Sequence, residues 1–291
     1  MRLDRAVSVH LIRPFAQTWN RHGARIPILM YHSISEEIEV RHPYYETNTS
    51  PQVFRQQMSF LHQNGYSAIS LEKAVNALKG RAYDPKSVVI TFDDGYRDFY
   101  TEALPVLREL QMTATLFVVT GLTGNSRSRF KGKDCLTWTE VKELRANGIE
   151  VGSHTVTHPE LKSMNLARIE DEIGRSKQTI EEETGEPVHS FSYPYAFPEL
   201  NHSLTAFLSQ TLEKYGYENG VSTILGTAQR NSDRFFLPRI PVNTWDDLPF
   251  FQAKLDGAYD WLHVPQVLAK FVKGFPRPHV TKGGLQGEAA Q

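Results

Sequence analysis

Val88-Val89-Ile90-Thr91-Phe92-Asp93-Asp94-Gly95 is an unbroken run of β-branched, apolar and aromatic residues that ends in two carboxylates and a glycine. The absence of polar alternation from Val88 to Phe92 predicts a strand buried on both faces, which is the habit of a parallel sheet. Residues of a regular strand alternate sides, so Asp93 and Asp94 can face one site only where the chain leaves the strand. Gly95 permits that departure. Taken alone, Asp94-Gly95 reads equally well as a solvated turn.

Similar short runs lie on both sides of it: Ile26 to Tyr31, Ser87 to Phe92 itself, Ala114 to Val119, Ile149 to Gly152, Val188 to Tyr193 and Phe235 to Val242. Helical patterns separate them. Ser50 and Pro51 open a helix with Phe54, Met58 and Leu61 on one face and Gly65 past its end. Thr137 and Glu140 read as a capping box before Val141 and Leu144. From Leu166 to Glu183, Ile169, Ile173 and Ile180 keep helical spacing above a charged, solvated face. Strands alternating with helices imply an α/β barrel or a doubly wound sheet, with functional groups gathered beyond the strand carboxyl ends. The polar, basic stretch Thr123 to Lys133 and the tail from Gly274 to Gln291 read as loose.

With 291 residues, 40% hydrophobic and 22% charged, the chain suits one main catalytic domain. Its expected span is 26–272, after an N-terminal arm over 1–25 and before a flexible tail over 273–291. A net charge of -1 gives no basic field for nucleic acid. Cys135 is the single cysteine and excludes an internal disulfide. Arg2, Arg5, Arg13 and Arg21 interrupt every apolar run of the arm, so neither a signal-peptide core nor a membrane span is expected and the reading is cytoplasmic. Val7, Val9, Leu11, Ile12, Phe15 and Trp19 among those arginines also suit peripheral contact with the inner membrane, although a helix docked on the domain is the commoner arrangement.

The chemistry gathers at strand ends. Ile149-Glu150-Val151-Gly152-Ser153-His154 ends in a histidine, and His158 follows four residues later, a spacing that on a helical turn sends both imidazoles one way. Two histidines and a carboxylate leave coordination positions open, as a catalytic metal site requires; non-haem iron oxygenases use the same set. A second carboxylate beside the ion favours hydrolysis, because it can accept a proton from a water whose pKa the ion lowers.

These segments resemble the NodB-like polysaccharide deacetylases, carbohydrate esterase family four. The family's first motif, Thr-Phe-Asp-Asp-Gly, stands at Thr91 to Gly95, and its second, His-Ser/Thr-x-x-His, at His154 to His158. The resemblance implies an incomplete (β/α) barrel of about seven parallel strands. It also implies Asp93 as general base, and Asp94, His154 and His158 as ligands of a divalent ion, most often zinc, with cobalt, nickel or manganese accommodated. A third match, Phe191-Ser192-Tyr193-Pro194-Tyr195-Ala196, is similar to Arg-x-Pro-Tyr-Gly, which implies that the Tyr195 backbone N–H helps hold the oxyanion. Here Ser192 replaces the arginine that orients the catalytic aspartate, and Ala196 replaces glycine. Arg239, in Leu237-Pro238-Arg239-Ile240, is the candidate substitute.

The family's last motif, with its catalytic histidine, has only Leu262-His263 near the C-terminus, in a segment that reads as helical. Pro27-Ile28-Leu29-Met30-Tyr31-His32-Ser33-Ile34, however, resembles the opening of the branch that deacetylates poly-N-acetylglucosamine, where motif order is permuted. That makes His32 the expected general acid. The activity implied is removal of N-acetyl groups from a glycan, releasing acetate. The alternatives are an O-acetyl esterase, and a carbohydrate-binding protein disabled by the changes at Ser192 and Ala196.

Overall fold

The computed structural model describes residues 2–19, 24–37, 44, 46–80 and 84–274. Seven strands are wound in chain order: β1 (Ile28–Tyr31), β2 (Ser87–Phe92), β3 (Thr115–Val118), β4 (Glu150–Ser153), β5 (Ser190–Ser192), β6 (Asn219–Leu225) and β7 (Leu237–Pro241). Each pairs in parallel with the next, with Tyr31 opposite Phe92, Phe92 opposite Leu116, Val118 opposite Ser153, Ser153 opposite Phe191, Ser192 opposite Val221 and Leu225 opposite Arg239. Pro241 lies opposite Met30, so β7 returns to β1 and the sheet closes as a seven-stranded barrel. Closure brings every strand carboxyl end to one rim, which converts residues distant in sequence into neighbours.

Every residue of β2 is buried, as its lack of alternation predicts. Ile28, Val89, Phe117, Val221 and Leu237 come from five strands around the barrel, and they pack with Leu71, Ala74, Val75 and Leu78 of the helix Leu71–Lys79. That helix plugs the end opposite the carboxyl rim. β6 is the strand that hydropathy does not reveal, because Asn219, Gly220 and Ser222 break the apolar pattern. Its composition answers close packing: a Cβ on Gly220 would stand 2.5 Å from the Phe235 carbonyl oxygen, and Ser222 Oγ donates to Leu237 O at 3.1 Å.

The outer helices start as their signals predict. Ser50 Oγ accepts from Val53 N ahead of Pro51–Gln63, and Thr137 and Glu140 complete the capping box of Trp138–Ala146. Leu166–Thr184 is capped by Asn165 and stopped by Gly185 at φ +72°. Residues 3–19 form one helix whose middle, Val7–Ile12, is π-helical. Its arginines bind the domain: Arg2 pairs with Asp246, Arg5 with Asp247 and Arg13 with Asp256, while Val9, Ile12 and Ala16 pack on Ala253 and Ala258. Among the described residues, no helix is long and apolar enough to cross a membrane. Arg21 and residues 275–291 of the expected tail lie outside the described residues.

The segment read as loose is ordered. Arg129–Phe130 and Lys133–Asp134 pair as an antiparallel hairpin, with Phe130 opposite Lys133. What holds it is remote in sequence: Lys133 is buried and its Nζ donates to Ser33 Oγ (2.6 Å), Ser35 Oγ (2.9 Å) and Asn48 Oδ1 (3.2 Å). Local polarity carries no sign of such partners.

Candidate active site

The carboxyl ends of β1, β2, β4 and β5 and a residue within β7 supply the site. Asp93 N still donates to Tyr31 O, the last bond of the β1–β2 ladder; then Asp94 turns left-handed at φ +72° and Gly95 follows at +67°. The departure predicted at Gly95 therefore begins at Asp94 itself. Aspartate is among the residues that tolerate this conformation, at a cost of about 1 kcal/mol. The two carboxylates thereby acquire different surroundings.

The two histidines also converge by another route than a helical turn. Thr155 (φ +70°) and His158 (φ +56°) are left-handed, so the segment is a tight loop. Glu172, on the inner face of Leu166–Thr184, holds it: Oε2 accepts from Val156 N and Thr157 N at 2.8 Å each, and Oε1 from Thr157 Oγ1 at 2.7 Å. Sequence reading missed Glu172, although a glutamate beside Ile169 and Ile173 on an otherwise apolar face was the available sign. His154 Nδ1 lies 2.8 Å from Ser192 O, so Nδ1 carries the proton and Nε2 presents its lone pair.

Asp94 Oδ1 stands 3.4 Å from His154 Nε2 and 3.1 Å from His158 Nε2, and all three side chains are buried. One donor atom from each lies within 4.8 Å of the others. Oδ1 is itself buried and accepts no hydrogen bond among the described residues. Burial opposes the charge of Asp94, and imidazoles protonated on Nε2 hold it well below the usual carboxylate range, whereas neutral rings turn lone pairs toward it and leave Oδ1 without a donor. A buried, ionised oxygen without a proton donor between two imidazole nitrogens fits a divalent cation.

Asp93 faces the other way. Arg239 Nη1 and Nη2 grip its Oδ1 and Oδ2 at 2.8 and 2.7 Å, and Ser192 Oγ donates to Oδ1 at 3.1 Å. Arg239 is completely buried; its Nε donates to Ser222 O at 2.9 Å, and its Nη2 to Ser192 Oγ at 3.1 Å. Burial penalises the Asp93 charge, but the guanidinium more than offsets this and brings its pKa down to about 2. The arginine missing at position 192 thus has its geometric counterpart two strands away on β7, with Ser192 filling the gap between.

His32, just past β1, places Nε2 4.0 Å from Asp93 Oδ2. Burial lowers its pKa against the pull of Asp94 and Asp93. Tyr195 is left-handed at φ +57°, with its exposed ring 4.7 Å from that of His158 and its carbonyl accepting from Thr223 Oγ1 at 3.0 Å. His263 does not join these residues: its Nε2 meets Glu199 Oε2 at 2.8 Å, and it lines a separate cavity of about 550 Å³ with Phe236 and Asp260. The hairpin adds two residues that the sequence did not single out. The Phe130 ring lies 5.2 Å from that of His158, and Lys131 Nζ lies 3.7 Å from Asp94 Oδ2.

The family model described as Polysaccharide deacetylase matches residues 80–220. Over 240 residues the chain is 33% identical to the Bacillus subtilis (strain 168) protein named "Putative polysaccharide deacetylase YxkH", covering 81% of this chain and 76% of that one. The chain belongs to the polysaccharide deacetylase family. It is also 30% identical over 149 residues to the poly-beta-1,6-N-acetyl-D-glucosamine N-deacetylase of Escherichia coli (strain K12), a match that spans 48% of this deacetylase chain and 21% of the E. coli protein. Among solved structures, the Streptococcus pyogenes deacetylase PplD in complex with acetate superposes with a TM-score of 0.68 at 27% identity, covering 80% of this chain and 99% of that one. The barrel is therefore the fold of this deacetylase family.

Proposed function

We propose that the protein is a metal-dependent hydrolase that removes N-acetyl groups from a poly-N-acetylglucosamine-like glycan and releases acetate. The observation that carries this reading is the division of labour between adjacent aspartates. Asp94 is turned to two histidines, while Asp93 is held apart from them by Arg239 and Ser192. The family match and the named activity of the E. coli relative support the substrate class.

Asp94, His154 and His158 are the ligands in this proposal, and the donor set suits zinc first, with cobalt, nickel or manganese accommodated. When bound, such an ion polarises the acetamide carbonyl and lowers the pKa of water. Asp93, ionised down to about pH 2, accepts the proton of the attacking water, and Arg239 keeps its carboxylate aimed. The Tyr195 backbone N–H serves the developing oxyanion. His32 delivers a proton to the nitrogen as the C–N bond breaks, so the products are acetate and a free amine. The guanidinium supplied by Arg239 counts against a binding protein disabled by loss of the arginine at position 192.

The test is acetate release by the purified, metal-stripped and zinc-reconstituted protein from β-1,6-linked N-acetylglucosamine oligomers, beside O-acetylated glycans. Zinc-dependent release from the amide substrates is the expected result. Release confined to the O-acetylated substrates would make the protein an esterase, and no release from either would refute the reading.

A further inference from the structure

The hairpin tip reaches the cluster of Asp94, His154 and His158. Lys131 (φ +49°) and Gly132 (φ +85°) are the two central residues of a two-residue turn between Phe130 and Lys133, the pattern of a type I′ turn. Glycine, asparagine and aspartate are favoured at such positions, whereas lysine is strained there. The turn is fixed from three sides. Lys133 is tied to Ser33, Ser35 and Asn48, Arg97 N donates to Asp134 O at 2.8 Å, and the Phe130 ring lies against His158 and Tyr96. From this support the Lys131 ammonium sits 3.7 Å from Asp94 Oδ2, 4.6 Å from the Phe130 ring centre and 5.9 Å from that of Tyr195. Asp94 thus turns Oδ1 to the two imidazoles and Oδ2 to a cation.

We propose that Lys131 is a positioning residue that acts through Asp94. Its ammonium draws charge toward Oδ2, keeps that oxygen from serving as a further ligand, and so weakens the hold of the carboxylate on a divalent ion while leaving the ion more electrophilic. The proposal rests on the metal reading above. A strained lysine at the tip of a pinned turn is what such a role requires, since an ammonium on a free loop would not hold its distance.

Lys131→Asn removes the charge and installs a residue that the turn prefers, so the fold is retained; Lys131→Arg keeps the charge. Zinc affinity is measured by competition with a chromophoric chelator at fixed ionic strength. Lys131→Asn should bind zinc on the order of tenfold more tightly than the parent, as expected of one unit charge removed from beside a ligand in a half-exposed site, and the difference should shrink in high salt. Its kcat should fall although it holds the metal better, and Lys131→Arg should restore both values. A lysine that merely braced the hairpin would give weaker zinc binding on substitution. Unchanged or weaker binding in Lys131→Asn, with the parent binding zinc, overturns this inference alone; a parent that binds no zinc overturns the metal reading and the inference with it.

Discussion

Replacing Arg239 by Met tests the heart of the site, because the guanidinium contributes two of the three side-chain hydrogen bonds given above to the Asp93 carboxylate, the third coming from Ser192, and is itself fully buried. Depression of the Asp93 pKa from 3.8 to about 2 corresponds to stability on the order of 2 kcal/mol. The folded value lies below the ordinary one, so this contribution is complete above the ordinary carboxylate pKa and is lost as pH falls through it toward 2. Without the guanidinium, burial dominates and pushes the Asp93 pKa above its ordinary value, which reverses the sign: the carboxylate then destabilises the fold at neutral pH. Removing one member of a buried pair costs about 3–5 kcal/mol. Urea denaturation of the metal-free protein in chelator should show that loss for Arg239→Met at neutral pH. The gap from the parent should narrow at pH about 3, where Asp93 of the variant takes a proton. Asp93→Asn combined with Arg239→Met leaves no orphaned charge and should be more stable than Arg239→Met alone. A penalty for Arg239→Met that does not change with pH, or that simply adds to that of Asp93→Asn, would refute the reasoning.

Three further outcomes are expected. Replacing His154 and His158 together by Ala should abolish stoichiometric zinc, measured by elemental analysis after dialysis, because each imidazole Nε2 faces Asp94 Oδ1. Asp93→Asn should retain the metal and lose at least ~10²-fold in acetate release, since an amide keeps the carboxylate's shape but accepts no proton; loss of metal as well would reassign the two aspartates. His32→Ala should leave metal content intact and slow amide hydrolysis far more than hydrolysis of an activated aryl acetate, whose phenolate departs without a proton. Equal losses on the two substrates would remove His32 from the role of acid.

The apolar runs of β1 to β5 and β7, the capping signals of their helices, and the residue types Asp93, Asp94, His154 and His158 were legible in the sequence. Each is encoded within a few neighbouring residues: burial of a strand shows as missing alternation, a helix start as a cap, and the histidine pair as an imidazole at a strand end with a second four residues on. Ser192 in place of arginine was also visible as a departure, with Arg239 as the candidate to answer it. The tertiary structure decided the rest. The polar composition of β6 makes sense only against Phe235 and Leu237 of the adjoining chain. Left-handed backbone at Asp94, Thr155 and His158 gives the neighbouring carboxylates opposite partners and brings the imidazoles together without a helix. Glu172, the ordered hairpin and Lys131 owe their places to side chains far away along the chain. Local sequence specifies propensity and burial, whereas which charge faces which depends on the closure of the barrel, and that closure is a property of all seven strands together.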